Sequence, residues 1–204
     1  MRYSENHWQL DKLELRALCA VASKDETRPH LNAVCFDEPT RCAVATDGHR
    51  LVRARVEPGD VSLGSRQYLV SLAALKGVAP LLKHKGDMLC INRPDTDGKI
   101  ELQAIDKNGQ SKGVMHVQTV DHPFPPYDQV VPGKMNGEKR DVERYGMNAI
   151  YAADLALMQR ACDATKVEVS TPEGAMDPIR YDCTGQYCGT EWTAVIMPCR
   201  VVST

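Results

Sequence analysis

The feature of this sequence that most constrains its fold is an order of elements that occurs three times. Each time, an amphipathic helical pattern is followed by short segments with the apolar and β-branched content of strands, separated by turn residues. The second pass begins at Ser71 and the third at Tyr145. This recurrence predicts repeated units in an α+β fold with mostly antiparallel sheets.

Apolar stripes locate three predicted helices. The first occupies residues 10–23, the second residues 72–84 with Ser71 as its N-cap, and the third residues 152–164. Pro80 lies inside the second helix, where its missing amide proton predicts a kink or a division. Strands are predicted at residues 30–37, 41–46, 49–56, 88–92, 100–105, 113–120, 166–171, 179–183 and 191–201.

The length of the chain permits one large core or several small ones. Its 204 residues are 43% hydrophobic and 25% charged, which predicts a folded chain. The repeats predict a domain over residues 1–132, made of two half-repeats at about residues 1–62 and 63–132. A charged linker that contains glycine follows at residues 133–144, and a third half-repeat occupies residues 145–204.

Cysteine usage and hydropathy indicate the compartment. Most of the eight cysteines stand in apolar neighbourhoods, such as that of Cys35, and are expected to be small buried hydrophobes in a reducing environment. No apolar run approaches the roughly 20 residues needed to cross a bilayer, and the first residues lack the pattern of a secretory signal. We therefore expect a cytoplasmic protein with no membrane partner.

The charge balance restricts any interaction with nucleic acid. There are 25 Lys and Arg residues against 27 Asp and Glu residues, which gives a formal net charge of -2. The chain is therefore not a generally basic nucleic-acid binder. If DNA is a partner, the basic side chains must be concentrated on one surface and the acidic ones must lie elsewhere.

Two linked motifs resemble the middle domain of bacterial DNA sliding clamps, the β subunit of the replicative polymerase. They are residues 25–34 (Asp-Glu-Thr-Arg-Pro-His-Leu-Asn-Ala-Val) and residues 44–51 (Val-Ala-Thr-Asp-Gly-His-Arg-Leu). Residues 124–127 (Phe-Pro-Pro-Tyr) resemble the clamp segment that leaves this domain, and residues 195–201 resemble the closing strand of the family. The resemblance extends in pieces over residues 8–201.

This resemblance implies a fold, an assembly and a function. Clamp rings contain twelve half-domains, so a DNA-clamp fold with about three half-domains per chain implies a head-to-tail homo-oligomeric ring of four chains. The implied function is that of a processivity factor that encircles double-stranded DNA and tethers the replicative DNA polymerase and the clamp loader. Clamps are not enzymes and need no cofactor. The reduced size suggests a phage origin.

A clamp attracts phosphate groups without reading bases, so its DNA-facing residues are expected to be basic side chains on or near the helices. For each of them, an ordinary solvated surface charge is the alternative. The candidates are Lys12, Arg16, Arg28, Lys76, Lys83, Lys85 and Arg160.

The family also binds a short peptide of its partners in an apolar cleft between domains. Cys199 stands where the family has a second methionine, which changes the depth expected of this cleft. Carried over by motif, the pocket residues are Leu31, Thr46, Gly48, His49, Arg50, Leu51, Pro125, Val130, Val195, Met197, Pro198 and Arg200.

An enzymatic function has one starting point in the sequence. Asp47 and His49 could form an acid–base pair, but there is no Gly-x-Ser-x-Gly motif and no phosphate-binding glycine-rich loop. We therefore expect no catalysis. The stronger alternative is a clamp-like interaction protein that binds replication partners without encircling DNA.

Metal sites are not expected either. The spacings of Cys183 with Cys188 and of Cys35 with Cys42 do not fit a zinc site, and no pair of histidines completes a set of ligands. Residues 95–98 (Asp-Thr-Asp-Gly) resemble the start of a calcium loop but lack its later glutamate, so a hairpin turn is predicted.

Overall fold

The computed structural model describes residues 1–4, 7–56, 64–133, 146–170, 174, 176–184 and 190–199. The helices are α1 (Lys12–Val21), α2 (Leu72–Val78) and α3 (Ala149–Ala161). The strands are β1 (Arg2–Ser4), β2 (His7–Asp11), β3 (Ala33–Asp37), β4 (Cys42–Thr46), β5 (Arg50–Arg55), β6 (Gln67–Ser71), β7 (Met88–Asn92), β8 (Lys99–Ile105), β9 (Ser111–Gln118), β10 (Glu168–Ser170), β11 (Ile179–Thr184) and β12 (Glu191–Ile196). Helices combined with antiparallel sheets confirm the predicted α+β class.

A capping box determines where α1 begins. The Asp11 carboxylate accepts hydrogen bonds from the amides of Leu13 and Glu14, and the Glu14 carboxylate accepts one from the Asp11 amide. The predicted start at residue 10 is therefore wrong. The residues before this cap form β2, which buries Trp8 and Leu10.

Capping also determines where the other two helices begin. The Ser71 hydroxyl accepts a hydrogen bond from the Ala74 amide, as predicted for the start of α2. This helix ends at Val78 and continues as a 3-10 turn that contains Pro80, so the predicted division is confirmed. Helix α3 begins three residues earlier than predicted because Asn148 caps it.

The first two helices are each preceded by a strand that the sequence analysis did not predict. Each of these strands pairs with a strand of the other repeat, since β2 pairs with β7 and β6 pairs with β3. We call this arrangement the strand exchange. Each helix therefore follows a strand in one sheet and precedes strands in the other. The order of the five-stranded sheet is β1-β2-β7-β8-β9.

The order of the seven-stranded sheet is β10-β11-β12-β5-β4-β3-β6. Strand β12 pairs along the whole length of β5, so the strands that follow α3 extend the sheet formed by β3 to β6. Residues 134–145, which include most of the predicted linker, lie outside the described residues. The division into three half-repeats stays a prediction.

One apolar core joins the helices to both sheets. It includes Leu18 of α1, Leu75 of α2 and Met158 of α3, with Trp8 and Trp192 from the two sheets. Burial of side chains of this size typically contributes about 1.5–3 kcal/mol each to folding. None of the helices in the described part of the chain is long and apolar enough to span a membrane.

A second cluster covers the other side of the seven-stranded sheet, which we call the loop face because residues 120–131 pack on it. Phe124 and Tyr127 supply the covering aromatic side chains. The remaining buried members come from the strands and are Ala33, Cys35, Cys42, Val44, Leu51, Leu69 and Val195. The other side of the same sheet, which packs against the helices, is called the helix face.

Candidate DNA-facing and peptide-binding surfaces

The three helices form a layer in which α1 contacts both α2 and α3. Every exposed charged side chain on these helices is basic. These side chains are Lys12, Arg16, Lys76 and Arg160. The acidic residues are withdrawn, because Glu14 is buried and Asp154 forms an ion pair with Arg50. Within the bounds of these three helices the exposed charge is therefore entirely basic, in a chain whose net charge is -2.

The side chain of Lys76 acts electrostatically on the neighbouring helix. Burial raises the pKa of the Cys19 thiol on α1 to about 12, and the positive charge of Lys76 opposes this rise. Lys76 thus adds its positive potential to that of α1, where Lys12 and Arg16 lie four residues apart.

The other three predicted DNA-facing residues lie off the helices. Lys83 and Lys85 are exposed in the loop between the 3-10 turn and β7. Arg28 is half-exposed, and its Nε donates to the Asp25 carboxylate at 2.8 Å. A methyl group added at Gly48 would lie 3.7 Å from Arg28 Nη1, so this arginine stands beside the predicted peptide pocket.

Several predicted pocket residues meet on the loop face. Val195 stands opposite Leu51 in the sheet, and Leu51 stands opposite Thr46, so the three side chains share one face. Leu51 and Val195 are buried together beneath the loop aromatics. The Met197 amide donates to the His49 carbonyl at 3.0 Å and continues this pairing beyond the strand ends.

Exposed apolar side chains adjoin this buried cluster along the chain, since Val130 precedes Val131, which packs on the cluster, and Met197 follows Val195 by two residues. Val130 is 49% exposed and Met197 is 39% exposed, although both are hydrophobic. Three other predicted pocket residues differ in exposure. Pro125, next to Phe124, is half-buried, Pro198, next to Met197, is buried, and His49 in the turn before β5 is exposed. Such a combination of a buried floor and an exposed apolar rim is typical of a surface that binds a peptide side chain.

Leu31 and Arg200 are two further predicted pocket residues. Leu31 is buried in the loop before β3, where its amide donates to the Arg28 carbonyl. Arg200 lies outside the described residues.

The turn at Gly48 is held by its own side chains. The Thr46 hydroxyl donates to the Arg50 carbonyl at 2.7 Å and accepts a hydrogen bond from the Gly48 amide at 3.1 Å. The Asp47 carboxylate accepts from the amides of His49 and Arg50. Gly48 has a φ of +94°, a conformation that favours glycine. These bonds explain why Thr-Asp-Gly-His occurs here and place the Asp47 carboxylate in a structural role.

Arg50 is the predicted pocket residue that the structure separates from the others. It stands opposite Ile196, and its guanidinium lies on the helix face. Its Nε donates to Asp47 at 3.0 Å and its Nη2 to the Ala20 carbonyl at 2.9 Å. Its Nη1 pairs with Asp154 of α3. Its side chain joins the turn of the pocket to the helix layer.

Phe124 and Tyr127 form part of the floor but were not among the predicted pocket residues. The Tyr127 hydroxyl donates to the Asp37 carboxylate at 2.8 Å and is 2.7 Å from the Thr40 hydroxyl. Burial is the main cause that raises the pKa of Tyr127, so the phenol stays protonated. The Phe-Pro-Pro-Tyr motif was the available signal, because its two aromatic residues flank a pair of prolines that restrict the backbone.

The described residues hold no group of three His, Cys, Asp or Glu side chains that could bind a metal ion, and Cys188 lies outside them. The Cys42 thiol donates to the Thr40 carbonyl, and burial raises the pKa of both Cys35 and Cys42. The Asp95 carboxylate accepts from the amides of Asp97 and Lys99 in the turn between β7 and β8. The prediction of a hairpin at this place is confirmed.

The same arrangement of elements is found in solved structures of bacterial clamps. The β sliding clamp of C. crescentus, solved with polyethylene glycol bound, superimposes with a TM-score of 0.65 and 18% identity. The alignment covers 98% of this chain and 68% of that clamp. This chain has the sliding-clamp fold. The predicted fold is therefore confirmed, on a chain that spans about two thirds of the length of such clamps.

Two further clamps give the same result. The DNA polymerase III subunit beta of Borrelia burgdorferi, in complex with a natural product, has a TM-score of 0.67 and 13% identity over 99% of this chain and 66% of its own. The sliding clamp of Bartonella birtlesii bound to griselimycin has a TM-score of 0.62 and 19% identity, and the alignment covers 98% of this chain and 68% of that clamp. No family model and no curated protein sequence matches the chain. The clamp fold is thus recognised through structure.

Proposed function

We propose that this protein is a DNA sliding clamp, a processivity factor of the cytoplasm that encircles duplex DNA and performs no catalysis of its own. The observation that carries this proposal is the charge of the helix layer. On a clamp fold with a net charge of -2, every exposed charged side chain of α1, α2 and α3 is basic. Basic side chains without base-reading partners give a sequence-independent attraction to phosphates, which is compatible with sliding.

The loop face is proposed to bind peptide segments of the replicative DNA polymerase and the clamp loader. Leu51 and Val195 provide its buried apolar floor. Met197 and Val130, which are exposed and close to cluster residues in the chain, are proposed as its apolar rim. A Leu or Phe side chain of a partner peptide would cover this rim, since hydrophobic anchors dominate the energetics of such contacts. Arg200 remains a candidate from its motif.

The chain is further proposed to close a homo-oligomeric ring. In a ring of twelve half-domains, three half-repeats per chain require four copies. If a bacterial clamp chain has six half-domains, two thirds of its length corresponds to four half-domains, and three copies would close the ring. Light scattering over a concentration series separates these two rings, because chains of 22.6 kDa give about 90 kDa for four copies and about 68 kDa for three. A monomer at all concentrations would contradict the closed ring.

The DNA-facing assignment is tested on circular DNA after loading. We expect the wild-type protein to be retained on closed circles at moderate salt and to be lost when the circle is linearised. The Lys12→Glu/Arg16→Glu double variant should be retained much less. The matched control is Lys99→Glu/Lys107→Glu, which reverses two exposed lysines on and beside β8. Equal retention of the double variant and the wild type would overturn the role of the helix layer.

A second candidate function is a clamp-like interaction protein that binds replication partners without encircling DNA. The exposed surface of α3 favours it, because Arg160 is its one exposed charge and its other exposed residues are apolar. These residues are Ala149, Ile150, Ala153 and Ala156. The charge reversal on α1 would leave this function intact.

Peptide binding is required by both candidate functions and has its own test. Met197→Glu is expected to weaken binding of a polymerase-derived peptide at least tenfold, measured by fluorescence anisotropy. Met176→Glu is the matched control, since Met176 is similarly exposed, at 51%, and is not among the predicted pocket residues. An unchanged affinity of the Met197 variant would exclude this rim from the peptide site.

A further inference from the structure

Two cysteines, one at the end of α3 and one in β11, are in direct contact inside the core. Cys162 is the C-cap of α3 and Cys183 belongs to β11. Their Sγ atoms are 2.7 Å apart, and the two residues are 0% and 3% exposed. Neither belongs to the helix-layer charges or to the loop face, so the proposed function leaves this contact unexplained.

We propose that Cys162 and Cys183 form an oxidisable dithiol, which a peroxide converts into an intrachain disulfide. The sulfur atoms need to approach by about 0.7 Å more to reach the ~2.05 Å of a disulfide bond. The dithiol is the state expected in a reducing compartment, so the disulfide would form during oxidative stress.

Other buried cysteines of the chain do not share this geometry. Cys35 and Cys42 lie on neighbouring strands, but Cys35 stands opposite Val44 and Cys42 stands opposite Asp37. The Cys42 thiol is moreover bonded to the Thr40 carbonyl. These two cysteines therefore serve as an internal comparison for the reactivity of Cys162 and Cys183.

A cleft reaches Cys183, and the Cys162 sulfur lies 2.7 Å from the Cys183 sulfur, so a small oxidant in the cleft comes close to both thiols. The volume of the cleft is about 180 Å³, several times the roughly 30 Å³ that a water molecule occupies in the liquid. Cys183 is one of its lining residues, which also include Ala164, Thr165, Lys166, Glu168, Asp182 and Thr184. Hydrogen peroxide is not much larger than water and fits this space.

The chemistry proceeds in two steps. The hydrogen bond from Cys183 lowers the pKa of Cys162, so Cys162 is the thiol of this pair that loses its proton more readily. In the proposed reaction the Cys162 thiolate attacks the peroxide. A sulfur–oxygen bond forms, the oxygen–oxygen bond breaks, and hydroxide leaves, so Cys162 becomes a sulfenic acid. The Cys183 sulfur then attacks the Cys162 sulfur, the sulfur–oxygen bond breaks, and the oxygen leaves as water with the Cys183 proton. Overall, two thiols lose two electrons and the peroxide is reduced to two waters.

The disulfide would tie the end of α3 to β11 and enclose residues 163–182. This segment contains β10, which is the edge strand of the seven-stranded sheet. Closing a loop of about 20 residues lowers the conformational entropy of the unfolded chain and so destabilises the unfolded state. Oxidation should therefore raise the apparent Tm by about 5–10 °C. The effect concerns the chain itself and does not depend on DNA or partner binding.

The test uses the whole wild-type chain. After treatment with hydrogen peroxide, remaining thiols are alkylated, and peptides are mapped by mass spectrometry without reduction. We expect a cross-linked peptide pair that joins Cys162 to Cys183, lighter by two hydrogen atoms and released by dithiothreitol. Cys35 and Cys42 should remain thiols. A cross-link of either cysteine to Cys188 or Cys199 instead, or oxidation to sulfinic acid without a cross-link, would overturn the proposal.

The thermal readout adds an independent check. Wild-type protein should gain its Tm shift on oxidation and lose it on reduction, whereas Cys162→Ser and Cys183→Ser should show no shift. Cys35→Ser is the matched control and should keep the full shift. If a serine variant does not fold, the peptide map of the wild type still decides the question.

Discussion

The guanidinium of Arg50 lies over the ring of Tyr151, with its central carbon 4.5 Å from the ring centroid. Arg50 comes from β5 and Tyr151 from α3, so this contact joins parts of the chain that are about a hundred residues apart. The same side chain pairs with Asp47 and Asp154, and only a tenth of it is exposed. Arg50 therefore stabilises the packing of α3 on the seven-stranded sheet.

Replacement of Arg50 by alanine should lower the free energy of unfolding by about 2–4 kcal/mol. The loss combines a cation–π contact with two partly buried ion pairs, and both carboxylates would lose their cationic partner. Urea denaturation followed by circular dichroism measures this change. Arg55→Ala, on the exposed end of the same strand, should change stability by less than about 0.5 kcal/mol. Equal effects of the two substitutions would contradict the role given to Arg50.

The two sheets are linked by an ion pair between Glu38 and Arg93. Glu38 follows β3, its side chain is 0% exposed, and Arg93 follows β7. Arg93→Leu should destabilise the protein by about 2–4 kcal/mol, because a buried carboxylate loses the positive charge beside it. The double variant Glu38→Gln/Arg93→Leu should be less destabilised than the sum of its single variants. Strict additivity in this double-mutant cycle, measured by chemical denaturation, would show that the pair is not coupled.

Asp87 should give the protein an acid-sensitive contribution to stability. Its hydrogen bond from Lys112, followed by that from the His84 amide, lowers the pKa of Asp87 in the folded state. A lowered pKa stabilises the fold above the unfolded value of about 3.9, and this contribution is lost as the pH falls through the folded value.

The substitution Asp87→Asn tests this directly. We expect the variant to be less stable than the wild type at pH 7, and the difference to shrink below about pH 4. Asp97→Asn removes a carboxylate from an exposed turn position and is the control for the substitution itself. Thermal unfolding at several pH values provides the measurement, and a difference that grows in acid would contradict the assignment.

The turn at Gly48 should depend on glycine. Because φ is +94°, Gly48→Ala is expected to cost about 1–2 kcal/mol of stability and to weaken peptide binding through displacement of His49. Gly133→Ala is the control, since that glycine is exposed and a methyl group added to it would meet no atom of the described residues within 4 Å. It should be neutral in both thermal unfolding and peptide titration. A neutral Gly48→Ala variant would show that the turn tolerates a side chain.

The fold was largely predictable from local patterns, but its strand exchange was not. Stripes, caps and turn residues are local signals, and they located α1, α2, α3 and the Asp95 hairpin to within a few residues. The pairings of β2 with β7 and of β6 with β3 are non-local. A short segment such as 67–71, whose three central residues are all buried, has no periodicity that distinguishes it from the start of the helix that follows.

The candidate sites show the same difference between local and non-local information. The motif grouped Thr46, Leu51 and Val195, and strand register places their side chains on one face of the sheet. Their role in a peptide pocket stays a prediction. The same alternation explains Arg50. Adjacent residues of a strand point to opposite faces, so Arg50 lies on the helix face because Leu51 lies on the loop face. The partners of Arg50 on α3 could not be read from the sequence, because they depend on how a distant helix packs.

The strand exchange between β2 and β6 has a consequence for how this chain folds. The five-stranded sheet is complete only when residues about 80 positions apart have met, as Trp8 and Ile91 do, and the seven-stranded sheet needs the pairing of Val34 with Val70 across the first helix-and-strand repeat. Such pairings of high sequence separation slow the search for the native state and favour a single cooperative transition. The first two helix-and-strand repeats should therefore fold and unfold together, and neither should persist as an independent intermediate.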